Sequence, residues 1–268
     1  MPWRSRILII GAGDTGTVAA IRLFNSGFRP IIWEKNHPSD LHYHRNYSDV
    51  VYQGKKIIDD VEAIKFYPEQ EDQGIEKGIQ NVCANRQIPL ISHDNLNNID
   101  KILPKIVIDC AGEYPEPIML DWENYPLVIR VGLQYNVGQD GHVVVGDSGN
   151  QLGRVIRKPH NYKYNSKRNS DCITAPIEGI FISHRSFGDA IQERDEIGTI
   201  NDISILSPCD GYLIGLLHSG HFVASRQPLF EITASSQMKD NYMLLPVQKY
   251  AIAGAILEAV LSYLNEKC

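Results

Sequence analysis

Between Ala175 and Ile232 the chain writes one short unit twice, and this repeat constrains its fold more than any other feature. Ala175-Pro176-Ile177-Glu178-Gly179 returns 32 residues later as Ser207-Pro208-Cys209-Asp210-Gly211. At the same offset Gly188-Asp189-Ala190-Ile191 returns as Gly220-His221-Phe222-Val223, and Ile197 through Ile200 as Leu229 through Ile232. Each copy opens with a small residue, a proline, an acid and a glycine. Each then turns at a Gly-x-x-Ile/Val step.

Such an opening and turn are similar to one half of a barrel-sandwich hybrid domain of the biotinyl/lipoyl type. An all-β module of that kind is therefore predicted over residues 172–234. Domains of this type carry a cofactor on a lysine at the hairpin before the second half. That hairpin here reads Gly198-Thr199-Ile200-Asn201-Asp202-Ile203, and no lysine occurs from Cys172 to Met238. A swinging arm has no attachment point, so the module reads as a docking or ligand-shaping element. Arg194 and Arg226 stand where carrier domains commonly turn on glycine. A left-handed backbone at either arginine would cost roughly 1 kcal/mol relative to glycine and would call for a compensating contact.

The N-terminal part follows a different pattern. Arg6-Ile7-Leu8-Ile9-Ile10 is a short apolar strand, and Gly11-Ala12-Gly13-Asp14-Thr15-Gly16 opens the helix that follows, with Pro30-Ile31-Ile32-Trp33-Glu34 as a second strand. A G-x-G-x-x-G turn in that place is the dinucleotide-binding fingerprint. Gly11 makes the tight turn, Gly13 lets a pyrophosphate approach the backbone, Gly16 permits close helix–strand packing, and the helix N-terminus favours an anion. Glu34, 18 residues beyond Gly16, stands near where an acid meets the ribose hydroxyls. Asp14 sets a carboxylate beside the expected phosphates. Further apolar strands are predicted at Pro89 to Ser92, Lys105 to Cys110, Pro126 to Val131 and His142 to Val145, with a helix from Asp94 to Leu103. Together they indicate a Rossmann-like parallel-sheet domain over residues 1–158. A closing helix within 246–268, strongest from Val247 to Asn265, has an apolar ridge at Ile252, Ile256, Val260 and Leu264. Its small surface at Ala251, Ala253, Gly254 and Ala255 suits packing back on the first domain.

Composition narrows the classes. A formal charge of −6 over 268 residues argues against a general nucleic-acid binder. No apolar run reaches membrane-spanning length and no signal peptide is evident, which predicts a cytoplasmic protein. Five scattered cysteines without a C-x-x-C give neither a zinc pattern nor a disulfide framework. His37, His42 and His44, with Asp40 nearby, match no closed metal site and read as surface histidines near the sheet; the His218 and His221 pair reads as equally bland. The acids Glu69, Glu71, Asp72 and Glu76 read as a solvated segment. From Arg154 to Arg168 the chain is basic and acid-free. Lys163 to Arg168 reads as a linker, whereas Arg154, framed by Leu152-Gly153 and Val155-Ile156, is the candidate anion contact.

Several stretches, in order, resemble the YqeB-type family, the predicted accessory proteins of selenium-dependent molybdenum hydroxylase systems. They are Ile9 to Asp14, Phe28 to Ile32, Tyr47 to Gly54, Val107 to Asp109, Gly132 to Val144, Leu152 to Ile156, the doubled unit, and Tyr250 to Ala259. The resemblance implies a Rossmann-like domain, a barrel-sandwich domain and a role in maturing or inserting a molybdenum cofactor. The chain departs from the family at its first turn, at Glu113 to Pro117 and at Gly146-Asp147-Ser148.

The leading expectation is an α/β protein in which a Rossmann-like domain, an all-β barrel-sandwich hybrid module and a C-terminal helix follow one another. It would be an accessory protein of molybdenum-hydroxylase maturation, binding a nucleotide or a molybdopterin dinucleotide through Gly11, Gly13, Asp14, Gly16, Glu34, Asp109 and Arg154. Its partners would be a molybdenum hydroxylase or its maturation proteins, or further copies of itself in a homo-oligomer, with neither nucleic acid nor membrane. Two rivals stand beside it. One is an NAD(P)-dependent oxidoreductase using His142 or Tyr135 as acid; the other is a non-enzymatic docking scaffold.

Overall fold

Strand β1 (Ile7–Ile10) alternates its side chains between two cores, as a strand covered on both faces must. Ile7 and Ile9 join one apolar cluster and Leu8 and Ile10 join another. The computed structural model describes residues 7–68, 74–94, 102–111, 120–162, 171–235 and 241–266. The chain divides into two compact units. One comprises Met1–Pro38, Asn46–Asn165 and Leu245–Cys268; the other comprises Ser39–Arg45 and Ser166–Leu244.

The first unit is built on a nine-stranded mixed sheet. Its strands are β1, β2 (Pro30–Glu34), β3 (Lys55–Ile58), β4 (Val61–Phe66), β5 (Gln87–Ser92), β6 (Ile106–Asp109), β7 (Leu127–Val131), β8 (Val143–Val145) and β9 (Val155–Ile156). They lie in the order β3-β4-β5-β2-β1-β6-β7-β8-β9. Every pair from β4 to β8 is parallel, and the two edge pairs are antiparallel. The β3–β4 hairpin has no counterpart in the sequence reading. Its turn, Asp59-Asp60, takes φ of 48° and 61°, the doubly left-handed geometry of a tight hairpin, with aspartate in place of the usual glycine. The expected helix from Asp94 to Leu103 falls mostly outside the described residues, as do Glu69, Glu71 and Asp72.

Helix α1 (Asp14–Asn25) covers one face together with the closing helix, and α3 (Ile75–Ala84) covers the other; the short α2 (Val50–Gln53) lies between them in sequence. The closing helix α4 (Val247–Asn265) buries Ile252, Ile256 and Val260 with Ala253, Ala255 and Ala259 in the cluster of α1. The alanines let the two helix backbones approach, and the aliphatic ridge fills the space beside them. Leu261, beside Val260 of the ridge, stays 43% exposed. Tyr250 donates its hydroxyl to Asp59 at 3.0 Å, tying α4 to the hairpin turn.

Among the described residues the second unit holds eight strands in two four-stranded antiparallel sheets. They are β10 (Asp171–Thr174), β11 (Gly179–Ser183), β12 (Ala190–Ile191), β13 (Glu196–Ile200), β14 (Ile203–Leu206), β15 (Gly211–Leu216), β16 (His221–Val223) and β17 (Pro228–Thr233). One sheet runs β10-β17-β15-β12 and the other β14-β13-β11-β16. Shifting by the repeat offset turns each strand of one sheet into the strand at the same place in the other. Neither copy forms a sheet alone, because each contributes two strands to both, and Phe181, Ile197, Leu213, Leu229 and Phe230 close a shared core.

Backbone hydrogen bonds repeat with the sequence. Gly188 N–H donates to Leu213 O at 2.8 Å and Gly220 N–H to Phe181 O at 2.7 Å. Arg194 and Arg226 are left-handed, at φ 70° and 68°. The first donates its N–H to Ser207 O at 2.9 Å, the second to Ala175 O at 2.7 Å. Each arginine turn is therefore pinned to the opening residue of the other copy, which is the compensation its strain requires. The copies part company at β15, where the pairing shifts between Leu213 and Gly215. There the N–H of Leu216 donates to Leu41 O at 2.8 Å, and Leu41 enters the unit's core.

Candidate functional site

The C-terminal ends of the parallel strands gather most of the polar side chains buried in the first unit. In an open α/β sheet the chain leaves neighbouring strands in opposite directions where the order reverses, which opens a crevice at that edge. The reversal here lies between β1 and β6, and the Gly11–Gly16 turn sits at that place.

Two of its glycines are required by sterics. Gly11 has φ of +93°, and an added Cβ would stand 3.2 Å from the Ala111 nitrogen on β6's continuation. At Gly16 a Cβ would overlap the Gly11 carbonyl and come within 2.9 Å of its carbon. Gly13 caps α1 with extended backbone. The turn is braced from below: Thr17 donates its hydroxyl to Ala12 O at 2.8 Å and accepts the Tyr47 N–H at 2.8 Å.

Glu34 ends β2 with its side chain fully buried. Its two oxygens accept from Ala12 N–H and Lys35 N–H, both at 2.7 Å, so the carboxylate clamps the turn across the strand end. Asp14 lies in the first turn of α1, where the helix dipole favours a negative charge. It is buried and accepts from Asn46 Nδ2 at 2.9 Å; Asn46 Oδ1 in turn accepts from Ser48 N–H at 3.1 Å and Ser48 hydroxyl at 2.6 Å.

Asp109 ends β6 opposite Arg130 of β7 in register. The pair is buried, 0% and 4% exposed, and joined through Arg130 Nη1. Asp109 also accepts from Ala111 N–H at 2.9 Å and from the Tyr135 hydroxyl at 3.4 Å. Arg130 donates through Nε to Asp140 O at 2.9 Å and lies over the Tyr135 ring. Burial, reinforced by the Asp109 charge, pushes the Tyr135 hydroxyl up to about 12. Burial lowers the His142 pKa; its Nδ1 accepts from Val128 N–H at 3.1 Å and its ring meets Trp122 edge-on. Both side chains named as acids for an oxidoreductase are thus engaged in local structure.

Gly11, Gly13, Asp14, Gly16, Glu34 and Asp109 share the C-terminal ends of the three adjacent strands β2, β1 and β6 and the start of α1. Arg154 stands apart. It is exposed, just ahead of β9, in a loop closed by Gly146 N–H to Arg154 O at 3.0 Å. Strand β9 is the fourth strand over from β1, roughly 19 Å at the usual strand spacing. The tightly packed position beside it is Gly153, where a Cβ would meet Ala251 at 3.1 Å. Asn46 and Arg130 were missed, and Tyr135, named only as an alternative acid, instead joins the Asp109–Arg130 pair. Arg130 had a legible signal, a lone charge inside the apolar run Leu127–Val131; Asn46 had none.

The histidines take other places. His37 is exposed, while His42 and His44 are half-buried within the second unit. No group of three or more His, Cys, Asp or Glu is placed to hold a metal among the described residues. No helix among them is long and apolar enough to cross a membrane.

No protein-family model matches the chain. It is 26% identical over 271 residues to an uncharacterized protein, YqeB, of Escherichia coli (strain K12), an alignment covering 97% of this chain. That alignment takes in 48% of the relative, so the chain spans about half the length of the curated protein it matches. The chain is similar to YqeB along nearly all of its own length, in agreement with the resemblance read from its motifs.

Proposed function

We propose that the first unit is a Rossmann-like nucleotide-binding domain, with the eight-stranded unit a barrel-sandwich hybrid module that shapes or docks rather than carries. The observation behind the first part is the Gly11–Gly16 turn at the strand-order reversal, opening α1 toward the crevice. The run β5-β2-β1-β6-β7-β8 repeats the order of dinucleotide-binding sheets. The bound species would be a nucleotide, including a dinucleotide form of the molybdenum cofactor or, in the alternative, NAD(P). The turn's backbone fits a pyrophosphate, since Gly16 leaves no side chain between the loop and the helix. Asp14 is the one feature that opposes it, and Asn46 holds that carboxylate. Glu34 fixes the loop and would contact a ribose from the end of β2. Arg154 would meet an anionic group only at the far end of an extended ligand.

The context, maturation of a molybdenum hydroxylase, rests on the YqeB-type resemblance. The scaffold alternative draws on the β14-β13-β11-β16 sheet, where Ile182 and Phe222 stand 41% and 61% exposed. Melting the purified protein with NAD, NADP, CTP and ATP tests the nucleotide reading. A ligand at a hundred times its Kd adds about 2.7 kcal/mol, a rise of several degrees. Absence of any shift, with no nucleotide found by mass spectrometry in the purified protein, refutes it. A docking role predicts instead that Gly13→Asp leaves partner capture unchanged while Arg226→Ala abolishes it.

A further inference from the structure

The segment Ser39–Arg45 has both flanks in the nucleotide turn's supports and its middle in the core of the second unit. On one side, Glu34 clamps Ala12 five residues ahead of Ser39, where the excursion begins. On the other, Asn46 follows Arg45 directly and holds Asp14. Tyr47, next again, donates its N–H to Thr17 of α1.

The middle is firmly seated. Leu41 is buried among Phe181, Leu213 and Leu229, and its carbonyl accepts the Leu216 N–H. His42 Nε2 meets Glu231 Oε2 at 2.9 Å, over Gly215, where a Cβ would come within 3.2 Å of that nitrogen. Tyr43 and His44 pack their rings on Phe187, and His44 Nε2 and Arg45 Nη1 reach Tyr242 O at 2.9 and 3.2 Å. The internal repeat shows that this seat is specific. In the twin sheet Ile182 pairs with Thr199 where Gly215 pairs with Glu231, so the twin has neither the opening nor the acid.

We propose that this segment links occupancy of the Gly11–Gly16 turn to the second unit, an inference that rests on the nucleotide reading. A phosphate arriving at the α1 N-terminus puts like charge beside Asp14. That charge repels the Asp14 carboxylate and strains its bond to Asn46, which adjoins the Ser39–Arg45 segment. Loss of that hold loosens the adjoining Arg45 and weakens the seat of Leu41 and His42. Linkage makes the effect reciprocal: nucleotide favours the loosened segment, so loosening the segment favours nucleotide.

The test uses the full chain and hydrogen exchange of the Leu216 amide, whose acceptor is Leu41 O. Exchange there is expected to accelerate at least fivefold with whichever of NAD, NADP, CTP or ATP raises the melting temperature. His42→Ala is expected to bind that nucleotide at least threefold more tightly. Asn46→Asp, which keeps the side chain's size and puts a second carboxylate beside Asp14, is expected to accelerate Leu216 exchange without any ligand. A nucleotide that binds while Leu216 exchange and the His42→Ala affinity stay at wild-type values overturns the linkage and leaves the nucleotide reading intact. Should none of the four bind, the nucleotide reading fails and Asn46→Asp decides alone: unaltered exchange in that folded variant overturns the linkage as well.

Discussion

Replacing Gly16 by alanine adds one methyl group to the chain, and the structure gives that methyl no place to go. Its ideal position overlaps the Gly11 carbonyl oxygen and stands 2.9 Å from the carbonyl carbon, with Ile9 Cγ2 at 3.5 Å. The obstructing atoms are backbone, so no rotamer change relieves them. Gly11 is held in place, because its N–H is bonded to Trp33 O at 2.9 Å and the Ala111 backbone stands 3.2 Å from where a Cβ of Gly11 would be. The turn or α1 must move, and overpacking of this kind costs about 3 kcal/mol. For a chain of this size that lowers Tm by about 6–12 °C. The same change at Gly254, half-buried in α4 with no heavy atom within 4 Å of the new Cβ, meets nothing. There alanine's helix preference should stabilise by roughly 0.5–1 kcal/mol and raise Tm by about 1–4 °C. Differential scanning calorimetry of both variants against the parent checks the pair. A Gly16→Ala protein melting within 1 °C of the parent would refute the steric reasoning, and with it the placement of the turn against β1 and β6.

Two further outcomes follow from the buried charges and thiols. Asp109→Ala leaves Arg130 buried without its carboxylate and should cost about 3–5 kcal/mol, whereas Asp109→Leu combined with Arg130→Met should recover most of that loss. Equal denaturant midpoints for the single and double variants would show that the pair is not coupled. Burial raises the Cys83 thiol from its ordinary 9.0 to about 11. The folded state therefore holds this proton more tightly than the unfolded chain does. Its stabilising effect is complete below pH 9.0 and is lost as pH rises toward 11, with a limiting slope of about 1.4 kcal/mol per pH unit. Cys83→Ala should flatten that part of the stability–pH curve, and an unchanged slope would dismiss the assignment.

Much of the fold was legible because two periodicities carry it. Four-residue runs such as Ile7 to Ile10 are apolar throughout, as strands buried on both faces must be, and Leu127 to Val131 departs from this only at Arg130. The repeat offset of the second unit is visible in sequence because turn glycines and prolines are positions where few residues substitute. The β3–β4 hairpin escaped notice because Lys55-Lys56-Ile57-Ile58 alternates weakly and its turn uses Asp59-Asp60 rather than glycine. The site was legible only in part. Gly11, Gly16 and Glu34 follow from spacing, since backbone geometry near a strand end fixes where they must stand.

Sequence alone determined most of the parallel strands, the closing helix, the doubled unit and the absence of a carrier lysine, because local preferences and residue identity suffice for each. Tertiary structure decided what those residues do. It turned Glu34 inward onto Ala12, paired Asp109 with Arg130, set Asn46 on Asp14, put Leu41 into the second unit's core and brought His42 to Glu231. None of these is a property of neighbours in the chain. Each arises where strands far apart in sequence end side by side, and burial leaves a polar group no partner except the one that packing brings to it.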